Sequence, residues 1–266
     1  MPNLSRFGGW ALITGAARGL GNAFAEELSK DGVPCFLVDR DGPPIDSLAV
    51  QLGKTYGVPC QSIRQDLTEP DAVDKVAAYV GDRPIGLLVN NAGVACGGAF
   101  ATRDLDALNR VVLLNCLAPV ALTRAFLPPM LERKHGGIII VASLMSFLSA
   151  PNEAVYCGSK AFNLHFGEAL WGETRGTGVD VITVCPAGMR TEFFARDGIH
   201  ADDCARLMKV SAPPERIARM TLRRLGRKPT FMPPGAWILG NLPRLVPRWV
   251  AIRMVGGLMR RLARYV

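Results

Sequence analysis

The sequence predicts an α/β protein built on a doubly wound parallel sheet with helices on both faces. Three observations point there. Short apolar runs alternate with longer helical patterns through the first two-thirds of the chain. Most of those runs lack the in–out alternation of a half-exposed strand, so both their faces are expected to be covered. A glycine-rich turn follows directly on the first run. Strand followed by helix, repeated, requires right-handed crossovers and hence a parallel sheet.

The first strand is read at Trp10–Ile13, and the turn Thr14-Gly15-Ala16-Ala17-Arg18-Gly19-Leu20-Gly21 opens the helical stretch Asn22–Lys30. Cys35–Val38 is the second strand, closing on Asp39, with Ile45–Tyr56 as its helix. Gln61–Arg64 is a more polar strand candidate before the helical pattern Pro70–Val80. Ile85–Val89 runs into Asn90-Asn91-Ala92-Gly93 and then the long helical stretch Asp104–Leu131. Ile138–Ala142 reaches Ser143 ahead of the helix Ala154–Arg175, and Val179–Val184 leads to Pro186.

The chain has 266 residues, of which 49% are hydrophobic and 20% charged, a mix that supports a buried core and excludes whole-chain disorder. With 28 glycines and 19 prolines, and no period to them, collagen-like and low-complexity classes are excluded as well. No Pro/Ser-rich linker divides the chain. We therefore read residues 1–240 as one domain and 241–266 as a basic, amphipathic C-terminal extension.

Seven cysteines, at 35, 60, 96, 116, 157, 185 and 204, show no CxxC pair and read as small buried hydrophobes of a reducing compartment. His135, His165 and His200 form no ligand-spaced cluster, so no metal is expected. Met1–Gly9 lacks a secretory pattern. Two uncharged stretches, Pro84–Thr102 and His135–Asn152, read as buried strands with polar turns rather than membrane spans. The expectation is a cytoplasmic protein.

The formal net charge of +8 is unevenly placed. From Arg216 onward there are 12 Lys/Arg and no Asp or Glu, whereas the remainder carries 19 basic and 23 acidic residues. Within the extension, Val255, Leu258, Leu262 and Tyr265 share one helical face and Arg253, Arg260 and Arg264 another, downstream of Pro243 and Pro247. Three readings stay open: a helix packed on its own core or on a partner subunit, an interfacial helix giving peripheral contact with an anionic membrane, and nucleic-acid binding. The last has no recognition motif to support it, and no nucleic acid is expected.

The glycines after the first strand let the backbone turn tightly and approach a pyrophosphate, to which the following helix offers free N–H groups. Asp39 lies 18 residues past Gly21, about where an acidic residue accepts from adenosine ribose hydroxyls. Tyr156 and Lys160 stand at i and i+4 and so on one helical face. An ammonium near a phenol favours the phenolate, bringing it within reach of acid/base work. Ser143 sits at a strand end, where such sheets present ligand-facing groups, and its hydroxyl could bond a substrate oxygen. Turn capping by Ser143, Ser146 and Ser149 is the plainer alternative.

These residues carry a resemblance. Thr14-Gly15-x-x-x-Gly19-x-Gly21, Asp66, Asn90-Asn91-Ala92-Gly93, Asn115, Ser143, Tyr156-x-x-x-Lys160 and Pro186-x-x-x-x-Thr191 occur in the order and spacing of the short-chain dehydrogenase/reductase family, which the chain resembles from about residue 8 to 240. The resemblance implies a single-domain, Rossmann-like sheet of about seven strands, the last near Phe231–Met232. It implies Tyr156 as acid/base, Lys160 holding the nicotinamide ribose, Ser143 orienting the substrate oxygen, and Asn115 holding a water in a proton relay. The cofactor set it implies is Thr14, Gly15, Ala17, Arg18, Gly19, Leu20 and Gly21 at the turn, Asp39 and Arg40 at the ribose, and Asp66 and Leu67 at the adenine. Asn91, Ala92 and Gly93 would line the cleft, with Tyr156 and Lys160. Pro186, Gly188, Met189 and Thr191 would hold the carboxamide end. Ala187 stands where the family usually has glycine. Homo-oligomers are also implied.

Asp39 favours NAD by repelling a 2′-phosphate, while Arg18 and Arg40 keep NADP open. Leu144, Met145, Phe147, Leu148, Phe193, Phe194 and Ile199 suggest an apolar small-molecule substrate, or else ordinary core. The function expected is an NAD(P)-dependent oxidoreductase interconverting a secondary alcohol and a ketone. Alternatives are a non-catalytic nucleotide-binding sensor or membrane-recruited scaffold, and a dehydratase or epimerase on the same fold.

Overall fold

The computed structural model describes residues 4–187, 212–233, 236–241 and 245–262. Its strands are β1 Trp10–Thr14, β2 Cys35–Asp39, β3 Cys60–Arg64, β4 Ile85–Asn90, β5 Gly136–Val141, β6 Val179–Val184 and β7 Thr230–Phe231. They form one sheet in the order β3-β2-β1-β4-β5-β6-β7, every neighbouring pair parallel. The order reverses between β1 and β4. At that switch point the loops leaving the two strands diverge and open a crevice at the carboxyl edge.

The helices are α1 Gly19–Lys30, α2 Gly42–Tyr56, α3 Ala72–Val80, α4 Leu105–Val112, α5 Ala118–Glu132, α6 Ala154–Glu173, α7 Pro214–Arg224, α8 Ala236–Asn241 and α9 Arg248–Leu262. A π-helical turn, Leu113–Leu117, joins α4 to α5. The continuous helix Leu105–Glu132 is long and apolar enough to cross a membrane by length and composition. Its inner side, through Ala118, Leu122, Phe126 and Met130, lies in the core under the sheet.

The run-on apolar strands are explained by two cores. Alternate residues such as Ile13, Leu37, Val89, Ile139 and Ile182 meet α1, α2 and α7 on one face. Leu12, Phe36, Leu88, Ile138 and Val181 meet α3, α5 and Leu170 on the other.

Several elements differ from the sequence expectation: α1 and α2 each start three residues early, and a π turn interrupts the helix read over 104–131. β5 begins at Gly136, two residues before the apolar run, because it passes tight under α5: a Cβ on Gly136 would lie 2.7 Å from Met130 Cγ. Glycines there are invisible to a hydrophobicity reading. α7 was hidden in a segment dense with arginine, yet it buries Ile217, Ala218, Thr221 and Leu222. α8, six residues long, is too short to show a period in the sequence; it packs on the turn after Ser143, with Leu144 Cδ1 3.2 Å from where a Gly240 Cβ would stand. The boundary expected at 240/241 falls at the last residue of α8.

Candidate active site

The crevice is assembled from backbone outward. Thr14 ends β1 with its hydroxyl buried, donating to the Val89 carbonyl at 3.2 Å and accepting from the amides of Asn91 and Ala92, each at 3.0 Å. The Asn91 side-chain amide donates back to the carbonyls of Thr14 (2.8 Å) and Gly15 (3.1 Å). The glycine turn and the Asn90–Gly93 segment are thereby one knitted unit across the switch point.

Glycine is required at Gly15 and Gly21, and a side chain at Gly93 would be tight. Gly15 has φ +64°, and a Cβ there would stand 2.9 Å from Ala92 Cα. At Gly21 a Cβ would fall 2.1 Å from the Gly15 carbonyl oxygen. At Gly93 it would meet Asn115 Oδ1 at 3.2 Å and Lys160 Nζ at 3.3 Å. The N-terminus of α1 carries no side-chain cap at Arg18, so its first amides face the turn as donors. Gly19 and Leu20 open that helix, and Ala17 lies just ahead of it. The residues present fit a dinucleotide: a tight glycine turn brings backbone to the start of α1, whose first amides lack a side-chain cap.

Asp39 closes β2 facing the turn. Its two carboxylate oxygens accept from the amides of Ala17 (3.0 Å) and Asp41 (3.2 Å). Arg18 and Arg40 reach Asp41 at 3.4 and 3.9 Å respectively, both from exposed positions. Asp66 accepts from Arg110 Nη2 at 2.5 Å and from Thr68 through its amide (3.0 Å) and hydroxyl (2.8 Å). Burial works against its ionisation, but the bonds from Arg110 and Thr68 outweigh burial and hold the carboxyl below its usual range. The Arg110 pair spans 44 residues and left no mark in the sequence pattern. Leu67, beside it, is buried.

The reactive side chains gather on α6 and the π turn. Lys160 is 3% exposed, donates from Nζ to the Val141 carbonyl at 3.0 Å, and lies 5.9 Å from the Tyr156 ring centroid. Burial lowers its pKa to about 8, against smaller opposing pulls from Cys116 and Cys185. Tyr156 is buried one turn earlier. Asn115 is fully buried in the π turn. Its side chain accepts from the Val94 amide and donates to the Val94 carbonyl and to Ser159 Oγ, all at 2.9 Å. Ser159 in turn donates to the Tyr156 carbonyl at 2.8 Å. The side chain of Asn115 is thus a splint between the cleft segment and α6. Pro119 has no N–H, so the Asn115 carbonyl lacks the partner an α-helix would give it.

Ser143 follows β5 in extended conformation, 8% exposed. Its Oγ accepts from the Met145 amide at 3.1 Å, which leaves the hydroxyl hydrogen to donate. Ser146 Oγ accepts from the Ser143 amide at 3.3 Å and donates to the Lys160 carbonyl at 2.7 Å. Capping by Ser143 and Ser146 therefore holds together with the strand-end placement, and Ser149 takes no part in it. One hydroxyl ties the Ser143 segment to the Lys160 turn. Pro186 is buried and its carbonyl accepts from the Leu144 amide at 2.8 Å.

Of the apolar residues after Ser143, Leu144 is core, packed with Ala187 and Ala236, and Phe147 and Leu148 lean on the same small clusters with Met232. Gly188, Met189, Thr191, Phe193, Phe194 and Ile199 lie outside the described residues, as do Arg264 and Tyr265 of the tail. The sequence reading missed Ser159, which sits one residue before Lys160, and the Arg110–Asp66 pair. The first could have been found from its i+3 spacing to Tyr156; the second could not.

Residues 9–200 match the family model described as short chain dehydrogenase. A very-long-chain 3-oxoacyl-CoA reductase of Bos taurus is 32% identical over 190 residues, which is 70% of this chain and 61% of that protein; the chain thus spans less than two-thirds of this relative's length. Among solved structures, a 7beta-hydroxysteroid dehydrogenase superposes with TM-score 0.88 at 23% identity, covering 96% of this chain and 99% of the other, a likeness of fold. A short-chain dehydrogenase from Sphingobium yanoikuyae in complex with NADPH superposes with TM-score 0.78 at 28% identity over 97% and 98% of the two chains.

Proposed function

The chain belongs to the short-chain dehydrogenase family of oxidoreductases, and from that premise we propose that it interconverts a secondary alcohol and a ketone on an apolar substrate. One observation carries the reading. The Lys160 ammonium and the Asn115 side chain converge beside Gly93, within the same hydrogen-bonded unit as the glycine turn, and the Tyr156 ring centroid lies 5.9 Å from that ammonium. A nucleotide sensor or scaffold has no use for a buried cation held against a phenol, and this favours the enzyme over that alternative.

A bound nicotinamide dinucleotide would supply or accept the hydride. Tyr156 would give its phenolic proton to the carbonyl oxygen during reduction and take it back during oxidation. Lys160 stabilises the phenolate that remains, because a cation is worth more in a buried setting than in water. Ser143 would donate its hydroxyl hydrogen to the same substrate oxygen and fix its place. Asn115, whose carbonyl cannot be served by Pro119, would hold the water that refills the proton. Gly188, Met189 and Thr191 are assigned to the carboxamide end by resemblance alone.

We favour NAD as the cofactor. Asp39 is pinned by two backbone amides at the end of β2, so its carboxylate cannot swing away from a ribose. A second reading, NADP, rests on Arg18 and Arg40. Both are exposed, and both contact Asp41 at distances a phosphate could compete with. The Sphingobium relative with NADPH supports it. The bovine relative's name supports a long acyl chain as one form of apolar substrate. Whole-chain substrate and partners remain part of this proposal, as do the 1–240 and 241–266 division and a homo-oligomeric state.

The test is Tyr156→Phe, assayed on apolar ketones and alcohols by absorbance near 340 nm. Turnover is expected to fall by roughly 10²–10⁴-fold, with dinucleotide affinity little changed. Wild-type turnover in the variant would overturn the role. In parallel, Asp39→Ala is expected to shift the kcat/KM ratio toward NADP; a wild type that already prefers NADP strongly would replace the NAD assignment.

A further inference from the structure

The helix α9 has little to do with the two cores. Of its residues 248–257 only Gly256 is buried. Trp249 is 61% exposed, Met254 60% and Ile252 38%, and Leu245, just before the helix, is 80% exposed. An indole left this open on a helix surface is unusual, and a cluster of exposed large apolar side chains marks a contact surface.

The placement of charge says what kind of surface it fits. Trp249 and Ile252, three residues apart, lie on one flank. Arg248 and Arg253 border that flank on its two sides, both exposed. The Arg253 guanidinium rests 5.1 Å from the Trp249 ring centroid. An indole with an arginine stacked on it, between flexible cations, suits a layer that is apolar below and anionic above. From Arg216 onward the chain holds 12 basic residues and no acidic one, so this end attracts an anionic surface. α7 adds exposed Arg216 and Arg223 to the same segment, and Arg227 and Lys228 follow it.

We propose that α9 docks on an anionic phospholipid surface, with Trp249 and Ile252 entering the interfacial layer and Arg248 and Arg253 pairing with lipid phosphates. The contact is peripheral. Two or three apolar side chains and a few arginines give reversible, salt-sensitive adsorption rather than insertion. It brings the chain to the surface from which an apolar substrate would be drawn, but it does not depend on the reading of the cleft.

The experiment uses the full chain and sedimentation with vesicles of phosphatidylcholine, alone or with about 30% phosphatidylglycerol. The wild type is expected to sediment with the anionic vesicles, far less with the neutral ones, and to be released between about 0.05 and 0.5 M salt. Trp249→Ser/Ile252→Ser and Arg248→Gln/Arg253→Gln should each bind at least about tenfold more weakly. Unaltered thermal unfolding of both variants shows that the fold is intact. Three results overturn the proposal: no binding by the wild type, equal binding by wild type and variants, or equal binding to neutral vesicles. Sedimentation velocity without lipid supplies a fourth. If the Trp249→Ser/Ile252→Ser protein forms a smaller species than the wild type and the wild type ignores vesicles, the face belongs to a second copy of this chain.

Discussion

Lys160 shows the cost of function at a single residue. Burial drives its pKa from 10.5 to about 8, so at neutral pH the folded protein holds a cation the fold disfavours. Between about pH 8 and 10.5 the unfolded chain binds more protons at this site than the folded one, so its contribution makes stability rise with pH across that window. Below pH 8 both states are protonated and the penalty is complete. Lys160→Met should therefore unfold at higher urea than wild type at pH 7, by about 1–3 kcal/mol, while losing turnover. A variant that is less stable would show that the bond to the Val141 carbonyl outweighs burial. The same titration makes phenolate support weaken as pH rises through about 8. Tyr156, Lys160, Ser143 and Asn115 were legible from order and spacing. The ties through Ser146 and Ser159 were not, because whether a hydroxyl caps a turn or bridges two segments depends on distances no spacing encodes.

Among the elements, the junction of β1 with α1 decides whether a dinucleotide can approach at all. Gly21 stands where the first turn of α1 touches the turn that precedes it, with no room for a methyl beside the Gly15 carbonyl. Gly21→Ala should push α1 off that turn and weaken dinucleotide binding at least about tenfold by titration calorimetry, because the uncapped amides would no longer converge. Unchanged affinity would place the pyrophosphate elsewhere. The π turn is a second such device. Pro119 removes a donor one turn after Asn115, and the widened turn carries the Asn115 side chain to Val94 and Ser159. The helix over 104–131 was readable as a helix. Its π turn was not, since a proline in a helical pattern announces an interruption without its form.

At the scale of the whole molecule, two apolar surfaces among the described residues stand out besides the cleft. One is α9. The other runs along α4, the π turn and α5, where Leu105, Val112, Leu113 and Leu117 recur on one side and are 67, 48, 37 and 56% exposed, with Phe162 of α6 41% exposed. A homo-oligomer would bury this side. Leu113→Lys/Leu117→Lys is expected to shift sedimentation velocity toward the monomer without loss of helicity; an unchanged species would move the interface elsewhere. The C-terminal third is tied back by one buried acid. Glu27 of α1, 6% exposed at its side chain, takes both Nε (2.9 Å) and Nη2 (3.0 Å) of Arg219 on α7. The arginines that read as a uniform basic tail thus divide, Arg219 serving the fold and others left at the surface.

Local pattern was enough to read the strand–helix alternation, the glycine turn and the candidate Tyr156–Lys160 pair, because each is written in nearby residues with a fixed period or offset. Long-range packing settled the rest. The order of strands, the contact of Gly93 with Lys160, the commitment of Asp66 to Arg110 and the exposure of Trp249 depend on which distant segments share space. That is fixed by the burial of two core faces at once, and no window along the chain contains it.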